Sequence, residues 1–236
     1  MIQTYNPLII GHRGAKACEA ENTLGSFRKA LSMGCKMIEF DVHKCKSGEL
    51  VVIHDATINR TTNGRGRISR LTLSEIKKFR CENNETIPTL QETLDAIGNN
   101  AAVNVEIKTV DCVEAVVDFF SERDITNVVF SSFKWNALKT VRKRLPKAAM
   151  GLLMESVSFT SPFKEAKILG CFSINPPSNL VSPSFMEQAK KGGLKVMVFG
   201  LKDEKDMEKC FKLKADGIFA DNPEQAFEVF MGLTKP

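Results

Sequence analysis

The stretch MIEFDV, residues 37–42, alternates apolar and acidic side chains. Successive side chains of an extended chain point to opposite faces, so Glu39 and Asp41 share one face and the apolar residues take the other. A buried strand with this pattern directs two carboxylates to a single side. Because buried charges need a metal, a basic partner or solvent, this acidic face is a candidate functional site.

A second stretch, AVNVEIK at residues 102–108, repeats the arrangement. Asn104, Glu106 and Lys108 share one face, and apolar side chains take the other. In one sheet, the two strands would bring three carboxylates and a lysine together. Spacing alone leaves two interpretations open. The carboxylates either hold Mg²⁺, Ca²⁺ or Mn²⁺, which prefer oxygen ligands, or pair with Arg13 and Lys108 as structural ion pairs.

Short apolar runs rich in Val, Ile and Phe recur between amphipathic segments along the whole chain. This alternation is typical of a parallel sheet covered by helices, and eight such runs predict an α/β fold, a (β/α)₈ TIM barrel. The 236 residues suit a single TIM-barrel domain spanning residues 1–236. The predicted strands are residues 8–11, 37–42, 102–107, 128–131, 148–153, 171–175, 194–199 and 217–220.

Two of the connecting segments carry helix-terminal signals. Asn22 or Thr23 is suited to cap the first helix. Thr89 and Glu92 have the spacing of a capping box, and Gly98 follows at the expected stop. Both segments are predicted to be helices that cover the barrel.

One segment departs from the alternation, because residues 49–54 read as a strand only a few residues after strand 37–42. A parallel crossover needs roughly a dozen residues, so an antiparallel hairpin through Ser47 and Gly48 is predicted instead. Residues 44–87 then form a small insertion after the second strand of the barrel.

The hairpin also predicts a register. A two-residue loop opposes Lys46 and Glu49, and continued antiparallel pairing places Asp41 opposite His54. Opposed residues project to one face, so a carboxylate of the acidic strand would lie beside an imidazole.

Histidines are candidates for proton transfer, and the chain has three. His12-Arg13-Gly14 follows the first predicted strand, at the end of the barrel where such enzymes build their sites. Arg13 is suited to a bidentate phosphate contact, and Gly14 to close backbone approach. His54 lies at the end of the hairpin. His43 is expected to point away from the acidic face and to be incidental.

Charge and composition exclude several classes of function. The net charge of +5 is spread along the chain, so no nucleic-acid partner is expected. The basic segment that contains Arg60 and Arg65 is interpreted as a solvated face, with an anionic substrate or lipid surface as the alternative. The seven cysteines show no paired spacing. No leader or membrane-spanning stretch is recognised, so we expect a soluble, cytoplasmic protein without stable membrane insertion. Nothing specifies an oligomeric state.

Several short motifs follow one another along the chain: HRG (12–14), ENT (21–23), EFDV (39–42), VVIHD (51–55), RTT (60–62), IPTL (87–90), EIK (106–108), SSF (131–133) and ADGIFADNP (215–223). In this order and spacing they resemble the signature of the glycerophosphodiester phosphodiesterase family. The resemblance implies a phospholipase C-like barrel that hydrolyses glycerophosphodiesters, which are small molecules derived from deacylated phospholipids, to sn-glycerol 3-phosphate and an alcohol. It implies that Glu39, Asp41 and Glu106 hold a divalent cation, that His12 and His54 are the catalytic acid/base pair, and that Arg13 and Lys108 bind phosphate.

One segment departs from the family pattern. Residues 196–202 read VMVFGLK where a V-x-x-W-T-V-N-like sequence is usual, so Phe199 keeps an aromatic but the polar residues after it are lost. The wall that faces glycerol or the departing alcohol is therefore expected to differ.

Three rival functions remain on sequence grounds. A lyase of the same barrel type would release a cyclic phosphate, although the RTT and IPTL motifs favour the hydrolase. An inert barrel would bind phosphodiesters without turnover, although it would not need both histidines and all three acids. The third rival is an enzyme in which Lys108 forms a Schiff base, but the proximity of Lys108 to Glu106 favours phosphate binding.

Overall fold

Eight parallel strands close into a barrel, and this confirms the predicted (β/α)₈ fold. The computed structural model describes residues 5–156 and 161–234. A ninth strand, β3, pairs antiparallel with β2 outside the closed ring. The strands are β1 Leu8–His12, β2 Met37–Lys44, β3 Leu50–Val52, β4 Ala102–Ile107, β5 Val128–Ser132, β6 Ala149–Leu153, β7 Ser173–Asn175, β8 Lys195–Val198 and β9 Gly217–Ala220.

Helices follow the barrel strands and cover their outer faces. Short 3₁₀ turns occupy Ile68–Arg70, Glu82–Asn84, Val110–Cys112 and Ser178–Leu180. The α-helices are α1 Leu24–Ser32, α2 Leu73–Ile76, α3 Leu90–Ile97, α4 Val113–Phe120, α5 Trp135–Arg144, α6 Pro162–Ile168, α7 Pro183–Lys191, α8 Glu204–Lys212 and α9 Pro223–Thr234. None of the helices in the described part of the chain is long and apolar enough to cross a membrane.

The apolar residues of the strands divide between two layers. Phe40 and Val42 of β2 are fully buried in the large core between the barrel and its helices. A separate small cluster contains Ile10, Met197 and Phe219. Along β2, apolar side chains therefore pack under the helices and polar side chains lie on the other face, as the alternation in sequence predicts.

Side-chain caps begin helices α1 and α3. Thr23, rather than Asn22, caps α1, since its side chain accepts a hydrogen bond from the backbone of Ser26. Thr89 and Glu92 form the predicted capping box at α3, which ends at Gly98. The first cap leaves the Asn22 side chain available for another partner.

The hairpin between β2 and β3 exists, but its predicted register is wrong by one residue. Val42 pairs with Val52 and Lys44 with Leu50. Asp41 therefore lies opposite Ile53, whose backbone N–H donates to the Asp41 carbonyl over 3.0 Å. His54 lies beyond the end of β3.

The cause of this shift is a three-residue loop. Cys45 donates its backbone N–H to the Glu49 carbonyl over 2.9 Å and closes the hairpin around residues 46–48. Gly48 takes a left-handed conformation with φ of +103°, and its N–H donates to the Cys45 carbonyl. Three-residue hairpin loops commonly use a glycine in this way. A later part of the chain also holds the loop, because Lys46 donates its backbone N–H to the Leu71 carbonyl.

The segment between β2 and α3 contains its own small apolar cluster. Seven buried residues form it, and they come from the hairpin and from the turns that follow. Their packing fixes the loops of this segment against the barrel edge at β2, next to the site described below. The seven are Cys45, Val51, Ile53, Ile58, Ile68, Ile76 and Ile87.

Candidate active site

The register of the sheet brings polar residues of four strands side by side. His12 of β1 lies beside Glu39 of β2, and Asp41 lies beside Glu106 of β4. Glu106 is in turn next to Ser131 of β5. The convergence predicted from alternation along the separate strands is therefore present.

These residues surround a cavity of about 270 Å³. Six of the seven predicted site residues line it, and Asp41 is buried beside them with 1% of its surface exposed. The cavity has a polar side and an apolar side. The lining residues are His12, Arg13, Glu39, His54, Glu106, Lys108, Ser131, Phe133, Leu153, Phe199, Gly200 and Phe219.

The three carboxylates fit a metal ion. Glu39, Asp41 and Glu106 are all buried, and each offers an oxygen within 4.8 Å of the others. Glu39 Oε1 is buried without a hydrogen-bond partner among the described residues, and Asp41 Oδ1 has the Lys108 ammonium at 3.1 Å but no hydrogen bond of good geometry. Buried carboxylate oxygens that lack hydrogen bonds are costly, and a hard divalent cation would satisfy them.

Electrostatics distinguish the three acids. Burial, together with Asp41, raises the pKa of Glu106 to about 7. Burial and the two neighbouring carboxylates also raise the pKa of Glu39 well above its usual value. Burial opposes the charged form of Asp41 too, but Lys108 and Arg13 outweigh it and lower its pKa to about 2. In the metal-free protein Asp41 is therefore the permanent anion of the cluster.

Two cations, Lys108 and Arg13, adjoin the cluster. Lys108 Nζ lies 2.6 Å from Glu106 Oε1 and 3.1 Å from Asp41 Oδ1. Arg13 Nη1 lies 2.9 Å from Glu21 Oε1, and its Nε is 3.4 Å from Asp41 Oδ2 without forming a hydrogen bond. Both cations border the cavity, so an anion bound there would meet positive charge on two sides.

A strained turn sets the position of Arg13. Its φ of +53° is left-handed, a conformation that costs roughly 1–2 kcal/mol for a residue with a side chain. The turn points the Arg13 backbone N–H at Glu39 Oε2, 2.9 Å away. Gly14, with φ of +83°, makes room for α1 rather than for a ligand, because a Cβ there would collide with Ser26.

Each of the two predicted catalytic histidines is bound at Nδ1 by an aspartate. His12 Nδ1 lies 2.6 Å from Asp221 Oδ1, and His54 Nδ1 lies 2.7 Å from Asp55 Oδ1. A carboxylate only accepts hydrogen bonds, so Nδ1 carries the hydrogen and Nε2 keeps a lone pair. Burial lowers the pKa of both imidazoles, against the opposing effect of their aspartates. Both rings are therefore neutral bases at neutral pH.

The expectation for His43 is wrong. Residues 39, 41 and 43 share the parity of the strand, so His43 lies on the face of Asp41 rather than away from it. It is buried, and its Nε2 donates a hydrogen bond to the His54 carbonyl over 3.1 Å. His43 thus supports the backbone that carries His54.

Several residues that contact the site could not be found from spacing. Asn22, left free by the Thr23 cap, donates its amide to Asp41 Oδ2 over 2.8 Å. Asp221, Asp55 and Glu21 bind His12, His54 and Arg13. All four lie in family motifs, which were the only signal for them, because their partners are set by the fold.

The apolar side of the cavity contains the segment that departs from the family pattern. Phe199 and Gly200 line the cavity, and the Phe199 ring meets Phe133 edge to face with centroids 5.6 Å apart. Leu201 packs against the core instead, and the Lys202 backbone binds Asp206. Only the first half of residues 199–202 therefore contributes to this wall.

Known proteins resemble this chain in sequence and in fold. Residues 12–225 match the glycerophosphoryl diester phosphodiesterase family. A glycerophosphodiester phosphodiesterase of Caldanaerobacter subterraneus subsp. tengcongensis is 36% identical over 235 residues, which cover 92% of this chain and 95% of that one.

Solved structures of phosphodiesterases have the same fold as this chain. A phosphodiesterase of Oleispira antarctica, in complex with the product sn-glycerol-3-phosphate, superposes with a TM-score of 0.89 at 27% identity, covering 95% of this chain and 97% of that one. A glycerophosphodiester phosphodiesterase of Thermotoga maritima gives 0.83 at 26% identity, covering 96% and 100%. With the family matched over nearly its whole length, the chain belongs to the glycerophosphoryl diester phosphodiesterases and is an enzyme of that class.

Proposed function

We propose that this phosphodiesterase hydrolyses glycerophosphodiesters, the deacylated phospholipids, to sn-glycerol 3-phosphate and an alcohol in a reaction that needs a divalent cation. One observation carries the proposal: two aspartate-bound imidazoles border a cavity beside a cluster of three buried carboxylates. The product bound to the Oleispira antarctica relative supports the choice of sn-glycerol 3-phosphate.

Glu39, Asp41 and Glu106 would hold the cation. Their oxygen donors suit Mg²⁺ or Ca²⁺, with Mn²⁺ as a further candidate. When bound, such an ion neutralises charge on the phosphodiester and on the transition state. Asn22 fixes the Asp41 carboxylate through its amide, so this ligand is held in place before the ion arrives.

The chain's own cations and imidazoles would perform the remaining chemistry. Arg13 and Lys108 bind the phosphate oxygens and stabilise the charge that develops there. The free Nε2 of one imidazole accepts a proton from the attacking oxygen, that of water or of a substrate hydroxyl, as this oxygen bonds to phosphorus and the bond from phosphorus to the alcohol oxygen breaks. The other imidazole, which takes up a proton from solvent beforehand, donates it to the departing alcohol oxygen, and the first imidazole returns its proton to solvent. Where a substrate hydroxyl attacks first, water opens the resulting cyclic phosphate by the same exchange. His12 and His54 are assigned to this pair.

The proposal also covers the substrate class, the domain organisation and the cellular compartment. The substrate is a small molecule, and the partners include no nucleic acid. The chain forms one domain, with residues 44–87 as an insertion in it. The seven cysteines are all free thiols, which supports a reducing compartment and hence the cytoplasm.

The histidine assignment is tested by His12→Ala and His54→Ala. Each variant should lower kcat by at least about a hundredfold, as expected for lost acid/base catalysis, while the Mg²⁺ affinity and the unfolding temperature stay near wild type. The measurement is steady-state turnover of glycerophosphocholine, with products identified by phosphorus NMR. Near-normal turnover would remove that histidine from the mechanism, and a cyclic phosphate as the final product would replace the hydrolase with a lyase.

A further inference from the structure

Arg60, in the basic segment interpreted from sequence as a solvated face, is engaged by two carboxylates at once. Its Nε and Nη2 donate to Asp55 Oδ2 and Oδ1 over 2.8 and 3.0 Å. Its Nη1 and Nη2 donate to Glu21 Oε2 and Oε1 over 2.9 and 2.8 Å. Both contacts are bidentate, so one planar guanidinium fixes the distance and angle between the two carboxylates.

Each of these carboxylates continues to a residue of the active site. Asp55 Oδ1 binds His54 Nδ1 at 2.7 Å, and Glu21 Oε1 accepts from Arg13 Nη1 over 2.9 Å. Arg60 thus stands behind both an imidazole and a guanidinium that border the cavity. Arg13 comes from the turn after β1, whereas His54 and Arg60 both come from the loop that follows β3.

The Arg60 network orders side chains beside the cavity. The Arg60 side chain is 48% exposed, so solvent reduces what its ion pairs contribute to the free energy of folding, while their bidentate geometry fixes the orientation of both carboxylates. His54 itself lies beyond the end of β3, and a third of its side chain is exposed. The ring therefore depends on hydrogen bonds to hold its orientation, and the bond at Nδ1 is the one that directs Nε2.

We propose that Arg60 is a positioning residue that orients His54 through Asp55 and Arg13 through Glu21. The inference rests on the proposed roles of His54 and Arg13 in the reaction. It predicts a loss of turnover without a loss of metal affinity, because none of the three carboxylates of the metal cluster contacts Arg60 in the described structure.

Three variants test the proposal kinetically. Arg60→Gln should lower kcat at least about tenfold, because small misplacements of catalytic groups are costly, and should raise KM through a less ordered Arg13. Arg60→Lys should recover only part of the loss, since an ammonium cannot make two bidentate contacts. Arg65→Gln is the matched control. Arg65 is exposed and forms no ion pair within the described residues, so its removal should change kcat less than about twofold.

A spectroscopic readout separates positioning from general loosening. The chain has only three histidines, so nitrogen-15 NMR of the imidazole rings gives three assignable sets of signals, one for each ring. In Arg60→Gln the His54 signals should shift away from the Nδ1–H tautomer, while those of His12, held by Asp221, stay in place. Unchanged His54 signals with unchanged kcat would overturn the inference, and so would equal shifts in all three rings. If His54→Ala itself retains turnover, the proposed function fails instead, and this NMR result still reports whether Arg60 orients the ring.

Discussion

At the residue scale, three carboxylates only a few ångströms apart behave differently because their neighbours differ. Asp41 lies between Lys108 and Arg13, which keep its pKa near 2 in spite of complete burial. Glu106 has the same lysine but also the charge of Asp41 beside it, and burial raises its pKa to about 7. A cation that binds here must therefore displace protons from the cluster.

That displacement predicts how metal affinity depends on pH. Below pH 7 Glu106 is protonated in the metal-free protein, so each bound ion releases its proton, and affinity falls as pH falls. From Glu106 alone, Mg²⁺ affinity should fall about fivefold between pH 7 and 6 and approach about tenfold per unit below pH 6, and the raised pKa of Glu39 adds to this loss.

Titration calorimetry in two buffers of different ionisation enthalpy measures both the affinity and the proton release. Glu187→Gln is a suitable control, because Glu187 pairs with Lys191 on the surface of α7. That variant should retain the wild-type profile. An affinity that stays constant between pH 6 and 8 would show that Glu106 is not a ligand.

At the element scale, the hairpin shows which part of the architecture positions His54. A two-residue loop would have tied the imidazole to Asp41 through strand pairing. The actual three-residue loop places Ile53 there, and His54 is held by Asp55 and by the His43 hydrogen bond instead. The turn therefore contributes stability to the hairpin, while orientation of the imidazole comes from side chains.

Gly48→Ala tests this division of roles. Gly48 has φ of +103°, and a Cβ added to it would have no atom within 4 Å, so the cost of the substitution is conformational. We expect the free energy of unfolding to fall by about 1 kcal/mol or more, with kcat nearly unchanged.

Gly232→Ala is the matched control for this prediction. Gly232 lies in α9, a Cβ added to it would also lie in open space, and its φ is not left-handed, so alanine should be neutral or stabilise by up to about 1 kcal/mol. Chemical denaturation and steady-state turnover provide the two readouts. A large loss of kcat in Gly48→Ala without unfolding would show that the turn does position the imidazole.

At the scale of the whole molecule, the sequence predicted features that depend on periodicity. Strands such as β4 are buried on both faces of the barrel wall, so they can be recognised in the sequence as short apolar runs. The alternation of side chains along these runs then predicted that the carboxylates lie on one face of each strand: Glu39 and Asp41 on β2, and Glu106 on β4. Their convergence then followed from neighbouring strands, as the pairing of Asp41 with Glu106 shows.

Contacts between distant parts of the chain could not be predicted in this way. His12 and Asp221 are 209 positions apart, and Arg60 reaches Glu21 across 39 positions. Only the closed barrel brings such pairs together. The hairpin register was also out of reach, because it depends on the left-handed Gly48 and on backbone contacts with Leu71.

Cation-dependent hydrolysis at the three-carboxylate cluster can be measured in a single assay. Metal-stripped protein is given glycerophosphocholine or glycerophosphoethanolamine, and Mg²⁺, Ca²⁺ or Mn²⁺ is restored separately, with Glu39→Gln, Asp41→Asn and Glu106→Gln measured in parallel. We expect no turnover in chelator, recovery with at least one of the cations, sn-glycerol 3-phosphate as the product, and no recovery in the three variants. Full activity in chelator would show that hydrolysis does not need a cation at this cluster.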